Sequence, residues 1–191
     1  KNPQTQHPEK KDAQVQQKLT PSAIDINFFP LLVFVVVNHI ISCGNQLLIE
    51  EDHDIVYRSA PTSHEKPPKE KAAPKDSDWS RIIKPDPVLL FRYSALTFNS
   101  HRIHYDRKYA MEEEGYPGLV VHGPLLATLL LDLINCEMPS CKVKIFDYRA
   151  IRPVFDTANF VIKGKLNGEA GAHLWVETGE GNLAMTATVK F

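Results

Sequence analysis

The chain has 191 residues, of which 43% are hydrophobic, enough for one domain or two small ones with a real core. Its 22 basic and 23 acidic residues leave a net charge near zero, and no sustained basic stripe follows the sequence. This composition therefore gives no reason to expect a nucleic-acid partner.

The first third of the chain contains one long apolar run. Residues 1–29 are polar and unpatterned as far as residue 27, so they are left unassigned and expected to be poorly ordered. Residues 28–41 are rich in β-branched valines, which favour a strand. A membrane anchor is the alternative, but the run reaches only about half to two-thirds of the length that a spanning helix needs, and no membrane span is expected.

Two strands are predicted on either side of a short turn. Residues 31–42 and 46–58 are joined by Cys43, Gly44 and Asn45, a typical hairpin signal. Because an isolated hairpin is marginal in water, we expect it to pair with an edge strand from residues 81–191. The hairpin has the same plan as the last two strands of the chain, which suggests that residues 30–59 are the remnant of a second copy of the C-terminal domain.

A segment rich in Pro, Lys and Glu, residues 60–80, follows and is predicted to be a solvated linker. The three cysteines show no Cys-x-x-Cys spacing, which favours a reducing compartment. Cys136 and Cys141 either pair with each other or serve as small apolar residues. No metal site and no cofactor are predicted.

Residues 81–191 have the pattern of a complete small domain. A first strand is predicted at 88–93, then a polar segment, and then a short helix that Asp106 caps and that runs through Glu114. The apolar run 125–131 follows Pro124, which suits a first helical turn, so a buried helix is predicted from about Gly123 to Asn135. Four strands with short turns close the domain as an antiparallel sheet, at residues 142–152, 158–166, 170–177 and 183–191.

Polar residues cluster before this buried helix. The segment reading Phe98-Asn99-Ser100-His101-Arg102-Ile103-His104 resembles the Gly-Asp-x-Asn-Pro-x-His pattern of the MaoC-like dehydratases, which have the hotdog fold. His122-Gly123 resembles the His-Gly pair that opens the central helix of that family. The match is specific at His104 and Gly123, and four positions depart from the pattern, namely Phe98, Asn99, His101 and Arg102.

Longer stretches of the sequence resemble one branch of that family. Three segments resemble the double-hotdog enzymes, namely SALTFNSHRIHYDR, YPGLVVHGPL and FDYRAIRPVFD. This group includes the hydroxyacyl-thioester dehydratases type 2 and the mesaconyl-CoA or itaconyl-CoA hydratases. This resemblance implies an α+β fold in which an antiparallel sheet wraps around one buried helix, with a partial second hotdog half. It covers residues 80–191 well, and the N-terminal half only at its closing hairpin.

The resemblance also implies a hydro-lyase that acts on 3-hydroxyacyl or 2-enoyl thioesters, of the acyl-carrier-protein dehydratase type used in fatty acid synthesis. Mesaconyl-CoA or itaconyl-CoA hydration is the alternative substrate, and a non-catalytic acyl-thioester binding module is an alternative of another class. The implied partner is an acyl-CoA or acyl-carrier-protein thioester, and the implied assembly is a homodimer. A mitochondrial location follows from the resemblance, and a cytoplasmic one otherwise.

Dehydration of such a thioester needs a base, an acid and a donor to the thioester carbonyl. A neutral imidazole can be the base and, once protonated, the acid, which suits His104. Backbone N–H groups at a helix start can be the donor, which suits Gly123. Asn99 cannot be a base but can hold the water or hydroxyl by hydrogen bonding. His101, Arg102 and His122 are assigned to substrate binding, with a polar rim or a brace for the loop as the competing interpretation.

Overall fold

The computed structural model describes residues 13–21, 32–58, 70–168 and 170–191. The chain divides into two compact units, Lys1–Pro67 and Pro68–Phe191. Within the described residues, no helix is both long enough and apolar enough to cross a membrane.

The first unit is a three-stranded antiparallel sheet in the order β1-β2-β3. Its strands are β1 (Ala13–Pro21), β2 (Leu32–Cys43) and β3 (Gln46–Arg58). The predicted hairpin is confirmed, since β2 pairs with β3 from Leu32↔Arg58 to Cys43↔Gln46. Gly44 makes the reversal with a φ of 57°, a backbone conformation that glycine adopts without steric penalty.

The hairpin differs from the prediction in its partner. β1 pairs with β2 along its whole length, so the expected partner from residues 81–191 is corrected to β1. The sequence suggested no element at residues 13–21, because a backbone ladder can form there without a strong apolar alternation. The rest of the segment 1–29, residues 1–12 and 22–29, lies outside the described residues.

The second unit is a five-stranded antiparallel sheet with helices on it. Its strands are β4 (Trp79–Ile83), β5 (Ile145–Ala150), β6 (Phe160–Leu166), β7 (Gly171–Glu177) and β8 (Leu183–Lys190), and they lie in the order β4-β6-β7-β8-β5. The four predicted C-terminal strands are all present. The helices are α1 (Pro87–Thr97), α2 (Arg107–Glu112) and α3 (Gly123–Glu137), with a 3₁₀ turn at Arg102–His104.

The strand prediction for residues 88–93 was wrong, because these residues lie in α1. The Asp86 carboxylate accepts a hydrogen bond from the Leu89 N–H at 2.8 Å, and Pro87 occupies the first turn. A capping carboxylate followed by proline is a helix start, and it outweighs the strand propensity of a short apolar run. The first strand of the sheet is instead β4, which begins inside the segment predicted as linker.

The described end of that linker is also tied to the sheet. The Ala73 N–H donates to Gly181 O at 3.0 Å, and the Leu183 N–H donates to Lys71 O at 2.8 Å. Ala73 itself is buried. Such backbone bonds place no demand on side-chain type, so the Pro- and Lys-rich composition did not reveal them. Residues 59–69 lie outside the described part of the chain.

Helix α3 is the centre of the core, as predicted, and packs against β4, β6 and β7. One stripe of the predicted buried helix is exposed, and it carries the polar residues Thr128, Asp132 and Asn135. Its buried face meets the buried side chains of the sheet, and the core includes Leu126, Leu130, Leu133, Ile134, Phe160, Ile162, Leu174, Val176 and Met185. The first residue of α3 therefore has a fixed position above the sheet.

Candidate functional site

His104 is held between two backbone segments. It ends the 3₁₀ turn, is 7% exposed, and its Nδ1 lies 2.7 Å from Val120 O. The Val120 N–H in turn donates to Ile103 O at 3.0 Å, so the turn and the loop before α3 are joined in both directions. A carbonyl oxygen only accepts, so Nδ1 carries the proton and Nε2 of the neutral ring keeps its lone pair. The fold thereby presents His104 as a base of defined tautomer.

His122 lies face to face with His104. The two ring centroids are 3.7 Å apart with an interplanar angle of 17°, and His122 is fully buried. Its Nε2 lies 2.8 Å from Ser94 Oγ on α1, whereas its Nδ1 has no hydrogen-bond partner. A buried N–H without a partner is rarer than a buried acceptor without one. We therefore assign the proton to Nε2, which donates to Ser94 Oγ.

Both stacked rings are held in the neutral form. Burial lowers the pKa of His104 most, repulsion from His101 lowers it further, and the hydrogen bond to Val120 opposes both. Burial, together with repulsion from His104, lowers the pKa of His122 to about 4. Burial acts this way because it disfavours the charged imidazolium. Near neutral pH, His104 is consequently free to accept a proton, and His122 does not compete for it.

Gly123 begins α3 at the same place, with His122 as the N-cap residue and Pro124 in the first turn. This confirms the predicted helix start. A Cβ added to Gly123 would meet no atom within 4 Å, so the space in front of this backbone is open. Free N–H groups and the positive end of the helix dipole favour a negative or developing-negative oxygen at such a position. The helix start can therefore polarise a carbonyl beside the imidazole pair.

A buried carboxylate braces the loop that carries His122 and Gly123. The Asp156 side chain is 1% exposed; it forms a salt bridge with Arg107 and accepts the Leu119 N–H at 2.9 Å. A Cβ on Gly118 would come within 2.7 Å of this carboxylate, so the close approach requires glycine. Asp156 and Arg107 thus hold the loop in place through its backbone at Leu119.

The outer residues of the motif have their own partners. Asn99 Oδ1 accepts the His101 N–H at 3.0 Å, which closes a turn of the kind that Asn favours. His101 is exposed and stands edge-on to His104, with ring centroids 5.6 Å apart. Arg102 is bound to Asp106 at 2.8 Å and lies over the Tyr109 ring, so its charge is already compensated. Substrate contacts by these residues stay predictions.

A cavity of about 310 Å³, open to solvent, lies at the end of α1 and includes Ser94 in its lining. Ser94 and Asn99 are among its lining residues, whereas His104 and Gly123 are not, so this cavity does not by itself bring Asn99 together with His104. The remaining lining residues are Phe91, Ala95, Phe98, Ser100 and Tyr105. The cavity is thus connected to the imidazole pair through Ser94, which lines it and binds His122.

Ser94 is the site residue that the sequence analysis missed. Predicting residues 88–93 as a strand hid its position, because the predicted strand ended before Ser94 and left it in the irregular polar segment. In α1 both residues are buried, four positions apart on one face. The helix start at Asp86-Pro87 was the available signal. In the described ranges no three His, Cys, Asp or Glu side chains are grouped as a metal site requires, and Cys136 and Cys141 form no disulfide with each other.

Solved structures share this architecture. HtdX from Mycobacterium tuberculosis superposes with a TM-score of 0.64 at 22% identity, over 93% of this chain and 67% of its own. A MaoC-like dehydratase from Phytophthora capsici superposes with a TM-score of 0.66 at 13% identity, over 94% and 64%. At such identities the likeness concerns the fold alone, and it confirms the predicted α+β hotdog fold of the MaoC-like class.

Sequence comparison narrows this class to a family. The profile of the hydroxyacyl-thioester dehydratase type 2 family matches residues 27–156, more than half of the chain, and the chain belongs to this family. It is 47% identical over 165 residues to mesaconyl-C(4)-CoA hydratase of Chloroflexus aurantiacus, covering 83% of this chain and 56% of that enzyme. It is 40% identical over 114 residues to the mitochondrial hydroxyacyl-thioester dehydratase type 2 of Schizosaccharomyces pombe, covering 58% and 37%. The chain spans about half the length, or less, of these relatives.

Proposed function

We propose that this protein is a hydro-lyase that interconverts 3-hydroxyacyl and 2-enoyl thioesters. The observation that supports it best is the buried, neutral His104, whose Nδ1–H is bound to Val120 O and whose Nε2 is left as a base. Gly123 supplies open space at the start of a helix in the same part of the fold. Family membership and the names of the relatives, which are hydratase and dehydratase, support the same reaction class.

In the dehydration direction, His104 Nε2 takes the proton from C2 of the thioester. Negative charge then develops on the thioester oxygen, and N–H groups at the start of α3 stabilise it. The imidazolium returns its proton to the C3 hydroxyl, which leaves as water, so one molecule of water and one enoyl thioester result. Hydration is the reverse, with Asn99 orienting the attacking water. His122 is neutral and therefore does not repel the imidazolium that forms on His104.

The substrate candidates differ in the acyl group and in the carrier to which it is bound. Sequence identity of 47% favours mesaconyl-C(4)-CoA, the substrate in the name of that relative. The S. pombe relative instead favours a 3-hydroxyacyl thioester and a mitochondrial location. We propose the 3-hydroxyacyl or 2-enoyl thioester of coenzyme A or acyl carrier protein as the substrate class. Within this class we propose the acyl-carrier-protein dehydratase reaction. We also propose that the protein is a homodimer.

A non-catalytic acyl-thioester binding module is the second candidate. Asn99 supports it, because an amide cannot transfer protons. A catalyst hydrates the 2-enoyl thioester that it binds, whereas a binding module retains it unchanged. The two candidates therefore differ in a direct assay of the purified chain.

The test is hydration of crotonyl-CoA by the wild type and three single variants. His104→Ala is expected to lower turnover at least about a hundredfold, the scale of general acid–base catalysis, while the far-UV spectrum stays unchanged. Asn99→Ala should lose less than His104→Ala, and more than His101→Ala, which removes an exposed imidazole three residues from His104 and tests its predicted role in substrate binding. Near-normal turnover by His104→Ala would assign this residue a structural role.

A further inference from the structure

Phe98 has a backbone conformation that is unfavourable for its side chain. It follows α1 with φ 53° and ψ 29°, in the left-handed region, and it is the one non-glycine residue with positive φ among those described. Its N–H is directed at Ala95 O and Ser94 O, as at the end of many helices. Glycine is the usual residue at such a position, because a Cβ crowds the backbone there. The helix end would form more easily with glycine.

The side chain of Phe98 contributes nothing to the core, since the residue is 94% exposed. A large aromatic group at a strained and exposed position is unfavourable for the fold on both counts. Strain of this kind persists where it serves a site. The contacts of Phe98 must therefore be sought outside the core.

Phe98 lines the cavity of about 310 Å³ together with Phe91 and Ala95, so a molecule bound in this cavity would contact its ring. This volume is in the range of small-molecule sites, which are mainly apolar with a few polar groups. Among the described residues, no charged side chain lines the cavity, and its polar side chains are the uncharged Ser94, Asn99, Ser100 and Tyr105. The lining suits an uncharged acyl chain, since it offers a carboxylate neutral hydrogen-bond donors but no positively charged side chain among the described residues.

On its polar side, this cavity is linked to the imidazole pair by the hydrogen bond between Ser94 and His122. Ser94 Oγ accepts the His122 N–H, so the hydroxyl hydrogen of Ser94 remains available toward the cavity that it lines. His122 stacks on His104 at 3.7 Å. An acyl chain lying against Phe98 would consequently have its reactive end on the side of Ser94 and Asn99.

We propose that Phe98 is a substrate-contacting residue that selects thioesters with an uncharged acyl chain. The inference rests on the proposed function for the identity of the ligand as a thioester. It favours straight-chain acyl thioesters over those that carry a second carboxylate, such as the mesaconyl group.

The first measurement is binding, which needs no turnover. Calorimetry with the full chain compares octanoyl-CoA with succinyl-CoA, whose acyl group is charged. The wild type is expected to bind octanoyl-CoA at least about tenfold more tightly. Phe98→Gly and Phe98→Ala should reduce that ratio to within about twofold, and Phe98→Tyr should keep it. Leu96→Ala is the matched control, because Leu96 is an 81% exposed apolar residue of the same helix that does not line the cavity, and the ratio should be unchanged.

The second measurement is thermal unfolding, which separates the two variants that lose the ring. Phe98→Gly relieves the backbone strain and is expected to raise the Tm by about 2–4 °C, whereas Phe98→Ala keeps a Cβ at positive φ and should not raise it. An equal preference of the wild type for the two thioesters, or a preference that survives Phe98→Gly, overturns the inference. Retained octanoyl-CoA preference without any hydration of 2-octenoyl-CoA refutes the proposed reaction and leaves the role of Phe98 standing.

Discussion

Helices α1 and α3 begin alike and end up in different surroundings. Each has an extended cap residue, Asp86 or His122, and proline in its first turn. The apolar side chains of α3 are mostly buried against the sheet, whereas α1 leaves Val88, Phe91 and Leu96 exposed. Similar starts therefore do not imply similar burial, and the two helices can serve different parts of one site.

The difference in burial separates the part of the site that is set in the core from the part that lies at the surface. α3 is set in the core, so the backbone at Gly123 and the His122 ring have defined positions. α1 lies at the surface and lines the cavity with Phe91, Ser94 and Ala95. Changes in α3 should thus affect folding and the reaction, and exposed changes in α1 should affect which substrate is accepted.

The largest expected effect tests this contrast in stability. Leu130→Ala in α3 removes a fully buried side chain and should lower the free energy of unfolding by about 2–5 kcal/mol. Leu96→Ala in α1, where the side chain is exposed, should change it by less than about 0.5 kcal/mol. Chemical denaturation of both variants measures the difference. Equal losses would mean that α1 is covered in solution and that the contrast fails.

The second prediction concerns the imidazole pair at the start of α3. Both rings have folded-state pKa values below 6.5, so as the pH falls the unfolded chain takes up protons first and the folded state loses stability. The loss begins near pH 6.5 and continues toward the pKa of His122 at about 4. For His122 alone it corresponds to about 3 kcal/mol at roughly 1.4 kcal/mol per pKa unit.

Denaturation at several pH values between 7.5 and 4.5 measures this loss, with His122→Asn as the control that removes the more strongly perturbed group. The wild type should lose stability more steeply than the control across this window. Parallel curves would show that His122 is not held neutral by the fold. Turnover should decline in the same direction, because protonated His104 cannot act as a base, and it should stay level above pH 6.5.

The smallest expected effect lies at the link between the helices. Ser94→Ala deprives the buried His122 Nε2 of its partner and should lower the free energy of unfolding by about 1–2 kcal/mol. The freed ring can shift against His104, so turnover should fall about tenfold, the equivalent of roughly 1.4 kcal/mol. Ser100→Ala is the control, because Ser100 lines the same cavity without a side-chain hydrogen bond among the described residues. Similar losses in both variants would show that Ser94 contributes as cavity wall alone.

The sequence was informative where a local pattern decides the structure. The apolar run after Pro124 predicted α3, and Asp106 predicted the cap of α2, whose carboxylate accepts the Tyr109 N–H at 3.1 Å. The spacing of the motif identified His104 and Gly123 as candidates. The prediction of secondary structure was wrong at residues 88–93, because a short apolar run fits a strand and a helix equally well until its cap is recognised.

By itself, then, the sequence determined the start of the core helix and the residue types available for acid–base chemistry, because each depends on neighbours within a few positions. Its resemblance to the MaoC-like dehydratases implied the hotdog class of fold. Only the tertiary structure decided which of these groups meet. The stacking of His104 on His122, the tautomer fixed by Val120 and the contact of His122 with Ser94 join residues that are 16 to 28 positions apart. Their burial, and hence the direction of their pKa values, follows from the packing of three separate segments, which no local pattern records.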